Sequence, residues 1–307
     1  MNVLIIGLGS IAKKHIDALT AIAPARFKIY ALRSGKGNGD VEGITNVFSL
    51  EDAGVSFDFA IVSNPTFNHY ETLRSLSACR IPLFIEKPLF HNLLNGQALV
   101  DELSRNSPLT YVACNLRFHP CILYLKEMLA TGTHRVNEVN VYGGSYLPEW
   151  RPGADFRKIY SANRSMGGGV HLDLIHELDY VTWLWGMPAE VRSTLRNRSS
   201  LAIDVVDYAN YLLGYDDFSV NITLNYYRRD ARRTCEIVFD DGTVTADLIG
   251  QKIMAGNELL FSSSASIHDT YTAQMKYFLS AMENRDLPAM NNIREAFEVL
   301  KICLNNE

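Results

Sequence analysis

Asp173 and His176 are the residues of this 307-residue chain whose types and spacing most suggest acid–base chemistry. They stand three residues apart in a strongly apolar segment, residues 170–185, which the sequence predicts to be one helix. Both side chains are therefore expected on one helical face, and ionisable groups in such a setting need partners. A histidine beside a carboxylate suits general acid–base catalysis. The alternative is a hydrogen-bonded pair in the core.

Lys87 is the other candidate for chemistry. It lies between Glu86 and Pro88, directly after the apolar run 83–85, where a strand is expected to end. An ammonium group there can donate to a substrate hydroxyl or to a cofactor ribose, the glutamate can hold it in place, and the proline stiffens the turn. A surface lysine that follows a strand is the alternative.

The first twelve residues predict a dinucleotide site. The apolar run 2–6 leads into Gly7-Leu8-Gly9-Ser10-Ile11-Ala12 and then into a helix-compatible stretch. Gly7 permits the tight turn, Gly9 lets the backbone approach a pyrophosphate, and Ala12 allows the helix to pack closely on the strand. The free N–H groups of the helix N-terminus attract the phosphates. A glycine turn without a nucleotide is the alternative.

Short apolar runs alternate with helical patterns through the first third of the chain. Further strands are predicted at residues 27–32, 59–62, 83–85 and 109–114. This alternation predicts an α/β fold with a doubly wound parallel sheet, whose ligands bind at the carboxyl ends of the strands. The polar residues that follow those ends are Asn64, Glu86, Lys87 and Asn115.

The pattern changes after residue 118, which predicts a cofactor-binding domain, 1–118, and a substrate-binding and oligomerisation domain, 119–307. Residues 220–224 alternate with period two, as in a sheet with one solvated or partner-covered face. Three consecutive glycines at 167–169 indicate close approach of a ligand or of backbone. We expect an α+β domain with an open, mainly antiparallel sheet.

The end of the second predicted strand bears on the choice of cofactor. Folds that prefer NAD usually place Asp or Glu there to bind the ribose hydroxyls. This chain has Arg33 and Ser34 instead, with no carboxylate until Asp40. Because Arg33 and Ser34 could accept a 2′-phosphate, the prediction is NAD(P) with a preference for NADP.

Two polar and aromatic segments of the second domain offer side chains for a substrate. Aromatic rings with arginines suit sugar faces and phosphate oxygens, although each such residue could equally pack at the domain edge. A basic run at 228–233 could bind an anion, but a solvated hairpin or subunit contact is favoured. The predicted substrate-binding residues are Arg117, Tyr146, Trp150, Arg157 and Tyr160.

Composition limits the classes of partner. The chain is 47% hydrophobic and 21% charged with a formal charge of −5, which is typical of a globular protein and disfavours a nucleic-acid binder. No apolar run approaches the length of a membrane span. The five cysteines are scattered and form no C-x-x-C pair. We therefore expect no metal site, no disulfide framework and a cytoplasmic location.

Taken together, these motifs resemble the glucose–fructose oxidoreductase / inositol dehydrogenase / MocA family, abbreviated GFO/IDH/MocA. The resemblance spans nearly the whole chain, and it implies a Rossmann domain and an open-faced sheet domain. The motifs that carry it, in order, are residues 7–12 with His15, Asn64-Pro65 with His69, Glu86-Lys87-Pro88, and the glycine run that leads to Asp173 and His176.

The resemblance also implies residue roles. Lys87 would be the catalytic lysine, Asp173 with His176 the pair on the substrate side, and the Lys87–Pro88 peptide bond cis. Many members space the Asp and His by four residues, whereas this chain spaces them by three, and the acid after the second strand is missing. The cofactor-binding residues predicted from the motifs and the resemblance together are Gly7, Gly9, Ser10, Ile11, Arg33, Ser34, Asn64, Pro65, His69, Glu86, Lys87 and Asn115.

The predicted function is that of an NAD(P)-dependent oxidoreductase acting on a CH–OH group of a sugar, sugar nucleotide or cyclitol. Two alternatives stay open: a glycoside hydrolase that uses tightly bound NAD, and a non-catalytic NAD(P)-binding regulator. The expected partners are a small sugar-type substrate and further copies of the chain in a homodimer or homotetramer. No nucleic acid, membrane or metal ion is expected as a partner.

Overall fold

The computed structural model of the chain describes residues 1–33, 35, 39, 41–284 and 286–305. The chain divides into two compact units. Unit 1 comprises Met1–Asn115 and Ile267–Glu298, and unit 2 comprises Leu116–Ser266 and Val299–Glu307. The first division lies close to the predicted boundary at 118. Residues 267–298, which were predicted in the second domain, belong instead to unit 1.

Unit 1 contains a six-stranded parallel sheet. Its strands are β1 (Asn2–Ile6), β2 (Lys28–Leu32), β3 (Ile44–Val47), β4 (Phe59–Val62), β5 (Leu83–Glu86) and β6 (Thr110–Ala113). Their order is β3-β2-β1-β4-β5-β6. The chain reverses direction of travel across the sheet between β1 and β4, which is the switch point of a doubly wound fold. The predicted fold class is confirmed.

The short strand β3 was not predicted from the sequence. It pairs only with β2, at the edge of the sheet, and only Val47 at its end is buried. Central strands such as β4 are buried at every residue and so form uninterrupted apolar runs. An edge strand lacks this signal.

The helices, numbered along the whole chain, cover the sheets of both units. In unit 1, Phe278 explains why the helix near the end of the chain belongs there, since its ring packs 5.4 Å from the rings of both Phe59 and Phe84. The helices with residues in unit 1 are α1 (Ser10–Ile22), α2 (His69–Leu76), α3 (Gly96–Asn106), α7 (Ile267–Glu283) and the first half of α8 (Ile293–Cys303). The remaining helices are α4 (Pro120–Ala130), α5 (Val170–Asp173) and α6 (His176–Trp185).

Unit 2 contains an eight-stranded sheet, with β7 and β10 parallel and the other neighbours antiparallel. Its strands are β7 (Val136–Tyr146), β8 (Glu190–Arg196), β9 (Tyr208–Gly214), β10 (Ser219–Asn225), β11 (Tyr227–Phe239), β12 (Thr243–Asp247), β13 (Lys252–Ala255) and β14 (Glu258–Ser262). Their order is β14-β13-β12-β11-β7-β10-β9-β8.

The two faces of this sheet differ as the period-two pattern predicts. Val220, Ile222 and Leu224 of β10 are completely buried, whereas Asn221 and Thr223 on the opposite face are partly exposed. That second face is called the open face below. Among the described residues of both units, no helix is long and apolar enough to cross a membrane.

Gly7 is required by a close approach of two backbone segments in unit 1. Its φ angle is +88°, in the region that favours glycine. A Cβ atom at Gly7 would lie 2.4 Å from the Cα of Asn64, the residue that follows the end of β4. The turn after β1 and the turn after β4 therefore touch only because residue 7 has no side chain.

Gly7→Ala is expected to lower the free energy of unfolding by about 2 kcal/mol or more, because it combines a positive φ with a backbone clash. Urea denaturation followed by circular dichroism measures this change. Gly9→Ala is the matched control, because a Cβ at Gly9 meets no described atom within 4 Å. Equal stability of the two variants would contradict the argument.

Candidate active site

The glycine loop at the carboxyl end of β1 has the form of a phosphate-binding turn. Helix α1 begins at Ser10, with Gly9 as the residue that precedes it. Gly7 must lack a side chain because Asn64 occupies the space. Gly9 is exposed, and no described protein atom would contact a side chain there. Ser10 is also exposed and Ile11 is half-buried. The open space at Gly9, together with the N–H groups of α1, fits a bound pyrophosphate.

Among the buried polar atoms of unit 1, Asn64 Oδ1, Arg33 Nη1 and His15 Nδ1 have no hydrogen-bond partner among the described residues. Asn64 follows β4 and Arg33 follows β2, so both stand at carboxyl ends of the parallel sheet. Buried polar atoms are normally paired. This donor and acceptor set, next to the glycine loop, fits the polar groups of a dinucleotide cofactor. Ser34 and Asp40 lie outside the described residues.

Glu86, at the end of β5, links the helix α1 to the candidate lysine. Its Oε1 lies 2.5 Å from Nε2 of the fully buried His15, and its Oε2 accepts a hydrogen bond from the backbone N–H of Lys87 at 3.2 Å. The peptide bond between Lys87 and Pro88 is cis, as predicted. The side chain of Lys87 is half-buried.

The buried ring of His69 contacts the backbone of the two loops that follow β4 and β5. Its Nδ1 lies 3.1 Å from the carbonyl oxygens of Pro88 and Leu89, and its Nε2 lies 3.0 Å from that of Asn64. Burial lowers the pKa of His69, although the carbonyl contacts oppose that effect. Both ring nitrogens thus lie within hydrogen-bond distance of backbone carbonyl oxygens, and a neutral ring donates through one of them. The cofactor contact of His69 stays a prediction.

Two further predicted cofactor residues stand at the same edge of the sheet. Pro65 is exposed next to Asn64. Asn115 is buried, and its Nδ2 donates to Thr270 Oγ1 of α7 at 2.7 Å. The cofactor contacts of Pro65 and Asn115 stay predictions.

The glycine run of unit 2 accommodates backbone. A Cβ at Gly168 would lie 2.3 Å from the carbonyl oxygen of Tyr160, and Gly169 has a φ angle of +136°. Asp173 is buried at 5% exposure, and its carboxylate accepts hydrogen bonds from the hydroxyl groups of Tyr160 and Tyr226. The glycines thus bring the segment of Tyr160 against the helix that carries Asp173.

The predicted single helix over 170–185 is interrupted between Asp173 and His176. Asp173 ends α5 and His176 begins α6. Leu174 leaves the helical region, with φ −103° and ψ 30°, and the N–H of Glu177 bonds to the carbonyl of Leu174 instead of Asp173. Because the ladder of hydrogen bonds is broken, the two side chains are not related as positions i and i+3 of a regular helix.

Arg117 occupies a structural position in unit 2. Its guanidinium is buried and donates to both carboxylate oxygens of Asp179, at 2.9 and 2.8 Å. It also lies over the ring of Trp183 at 5.6 Å. A buried bidentate pair of this kind holds its partners firmly. The contact of Arg117 with substrate stays a prediction.

The other predicted substrate residues are more accessible. Arg229 lies 4.0 Å above the ring of Tyr146 and donates to its hydroxyl at 2.9 Å. Trp150 is exposed, its Nε1 donates to Ser145, and its ring meets Tyr226 edge-on. Arg157 is largely exposed beside Asp155. These three stay predictions.

Tyr226 is the member of the unit 2 cluster that the sequence did not reveal. It lies between β10 and β11, more than fifty residues from Asp173. Its neighbours Asn225 and Tyr227 give it no distinctive local pattern. A fully buried tyrosine needs a partner for its hydroxyl, but burial of this position is itself a property of the fold.

Comparison with known proteins agrees with this arrangement. A family model described as an oxidoreductase family with an NAD-binding Rossmann fold matches residues 1–113. A second model, described as the GFO/IDH/MocA C-terminal domain, matches residues 122–245. The two matches follow each other along the chain, the first within unit 1 and the second within unit 2.

Individual relatives are distant but cover the chain. Myo-inositol 2-dehydrogenase of Thermotoga maritima is 23% identical over 95% of this chain and 91% of its own length. The levoglucosan dehydrogenase structure, a complex with NADH, superposes with a TM-score of 0.85 at 16% identity, over 99% of this chain and 95% of that one. The WlbA dehydrogenase of Bordetella pertussis, in complex with NADH and UDP-GlcNAcA, has a TM-score of 0.78 at 18% identity, over 98% and 93%.

Proposed function

The chain belongs to the GFO/IDH/MocA oxidoreductase family, and on that premise we propose that it transfers a hydride between a nicotinamide dinucleotide and a carbinol or carbonyl carbon of a sugar, sugar nucleotide or cyclitol. The observation that carries the proposal is the glycine loop. Gly9 precedes the first residue of α1, and no described protein atom lies within 4 Å of the position that a Cβ at Gly9 would take. Packing within the protein therefore does not explain why this residue is glycine. The relatives named above, which act on inositol, levoglucosan or a UDP-sugar by their names and bound ligands, support the substrate class.

Unit 1 supplies the residues that hold the cofactor. The N–H groups at Ser10 and Ile11 bind its phosphates, and Asn64, Pro65 and Asn115 line the strand ends where its ribose and nicotinamide belong. When bound, the nicotinamide supplies the redox chemistry. Glu86 and His15 fix the backbone at Lys87, so the lysine presents its ammonium group from a rigid turn.

The proposed acid–base work is divided among Lys87, Asp173 and His176. Lys87 donates to the substrate oxygen and polarises it. His176 takes the hydroxyl proton as an alcohol is oxidised and returns it in the reverse direction. Asp173 is a buried negative charge that stabilises the protonated imidazole. Tyr146, Trp150 and Arg157 are proposed to contact the rest of the substrate through ring stacking and hydrogen bonds.

Lys87→Met and His176→Asn are expected to lower kcat by roughly 100-fold or more, the usual contribution of a general acid or base. Cofactor affinity should change little. The assay follows the absorbance of reduced nicotinamide with a panel of cyclitols, monosaccharides and UDP-sugars, and cofactor binding is measured by calorimetry. Lys252→Met, at an exposed position on β13, is the control. Sugar release without net nicotinamide reduction would identify the hydrolase alternative, and unchanged kcat in both variants would refute the assignment.

A preference for NADP over NAD is proposed on the basis of Arg33. Its buried Nη1 has no partner among the described residues, and a guanidinium binds a phosphate strongly. The matching family model is described as NAD-binding and two of the similar structures hold NADH, so the preference for NADP is a proposal that rests on Arg33.

Arg33→Ala is expected to weaken NADP binding by about tenfold to a hundredfold, as for the loss of a charge-assisted hydrogen bond. NAD binding should weaken far less, because NAD has no 2′-phosphate. Calorimetric titration with each dinucleotide measures the ratio. Lys28→Ala, an exposed cation at the opposite end of β2, is the control. Equal losses for both dinucleotides would exclude recognition of the 2′-phosphate.

Self-association through the open face of unit 2 is also proposed. This face carries hydrogen-bonded polar side chains, such as Asn210 on Asn221 at 2.8 Å, and an exposed Leu212. It is polarised along the strands. Glu138, Asp216 and Asp217 stand at one end, and the exposed Arg196 and Arg232 stand at the other, next to Arg228.

The polarity of the open face predicts the orientation of a dimer. When two copies pack face to face, a two-fold axis perpendicular to the strands brings the acidic end of each copy onto the basic end of its partner. An axis parallel to the strands would oppose like charges. Six residues separate Glu138 from Gly144 along β7, which is about 20 Å at the rise of a strand.

Charge reversal tests this arrangement. Arg228→Glu with Arg232→Glu is expected to dissociate the dimer, and the further changes Asp216→Lys and Asp217→Lys in the same chain should restore it. Sedimentation velocity measures the oligomeric state. Glu127→Lys, on an exposed position of α4, is the control. A chain that stays dimeric after the first pair of changes would contradict the interface.

We also propose a cytoplasmic location, which suits five cysteines that form no disulfide.

A further inference from the structure

A buried cluster in unit 2 joins Asp173 to two tyrosines from distant segments. Tyr160 donates to Oδ1 of Asp173, and Tyr226 donates to Oδ2, with an oxygen–oxygen distance of 2.5 Å for the latter. Tyr226 is fully buried and Asp173 is 5% exposed. Each carboxylate oxygen therefore has its own phenol donor.

The fold holds the two phenols by their backbones. The carbonyl oxygen of Tyr160 lies 2.3 Å from the position that a Cβ at Gly168 would take. The backbone of Tyr160 can therefore pack here only because residue 168 is glycine. The N–H of Tyr226 bonds to Asp207 and its carbonyl accepts from Leu147, at 3.1 and 2.8 Å. Because Tyr226 is anchored by segments distant from α5 and Tyr160 packs on the glycine run that precedes α5, the carboxylate between them is held from two sides.

Both hydroxyl groups stay protonated. Burial raises the pKa of Tyr160 and of Tyr226 well above the usual value, and the charge of Asp173 and its hydrogen bonds raise them further. The phenols thus act as donors across the working range of pH. A carboxylate oxygen can accept two hydrogen bonds, so one phenol on each oxygen is compatible with a further donor at Asp173.

We propose that Tyr160 and Tyr226 are positioning residues that hold the Asp173 carboxylate in one orientation for the acid–base pair it forms with His176. This inference rests on the proposed function, which assigns the reaction to Asp173 and His176. Tyr160 was predicted as a substrate contact, and in the structure its hydroxyl donates a hydrogen bond to Asp173. Neither tyrosine transfers a proton to substrate in this arrangement; their effect reaches the reaction only through Asp173.

The test is a double-mutant cycle. Tyr160→Phe and Tyr226→Phe keep the rings and remove the hydroxyl groups, and each is expected to lower kcat by about 10-fold, as for a lost hydrogen bond to a charged group. KM for the cofactor should not change. In an Asp173→Asn background, the same tyrosine changes should have almost no further effect on kcat, because the group they position is gone.

Tyr211→Phe is the matched control. Tyr211 is fully buried in the same unit, but its hydroxyl donates to the carbonyl of Cys303. It should lower thermal stability as much as the other two changes while kcat is retained. A purely structural role for Tyr160 and Tyr226 would give that same outcome and would overturn the proposal, as would additive losses with Asp173→Asn.

A second readout is independent of turnover. In protein labelled with ¹³C at tyrosine Cζ, the resonances that vanish in Tyr160→Phe and Tyr226→Phe identify the two phenols. Both should shift in Asp173→Asn, while that of Tyr211 stays in place; unshifted resonances would show that the phenols do not contact Asp173. If Asp173→Asn retained full kcat although these resonances moved, the contacts would stand but the proposed function and the positioning role that rests on it would fail.

Discussion

A carboxylate removed from water must be surrounded by donors, and this constraint organises both units of the chain. Glu86 is paired with His15 and with the backbone of Lys87. Asp173 is held by two phenols, and Asp179 by a guanidinium. The unpaired alternative costs several kcal/mol for a buried ion, so each of these pairings constrains where the neighbouring segments lie.

Asp179 and Asp173 differ in the charge of their hydrogen-bond donors, as their structural and proposed catalytic roles require. Arg117 neutralises Asp179 with a full positive charge, which suits a purely structural pair. Asp173 receives hydrogen bonds from the neutral phenols of Tyr160 and Tyr226, which orient the carboxylate without adding a positive charge. A negative charge held in a fixed orientation can stabilise a nearby imidazolium, which is the property that the proposed acid–base role of His176 requires.

Glycine has two different uses in the chain. At Gly7 and Gly168 a side chain would collide with backbone, of Asn64 and of Tyr160 respectively. At Gly9 nothing in the described protein occupies the space of a side chain. The first kind of glycine shapes the fold, and the second leaves room for a ligand. Sequence reasoning assigned residues 7 and 9 in this way, but left open whether the run at 167–169 meets backbone or ligand, and the structure shows backbone at Gly168.

The sequence by itself determined the features that depend on local pattern. Buried strands are continuous apolar runs, the glycine loop follows the first of them, and the alternation of residues 220–224 separates the two faces of a sheet. Only the tertiary structure decided that the edge segment Ile44–Val47 is a strand, that Ile267–Glu283 packs in unit 1, and that the helix breaks after Asp173. It alone brought Tyr226 to that carboxylate. The physical reason is range: periodicity reports which face of an element is apolar, but not which distant segment covers that face or completes a buried hydrogen bond.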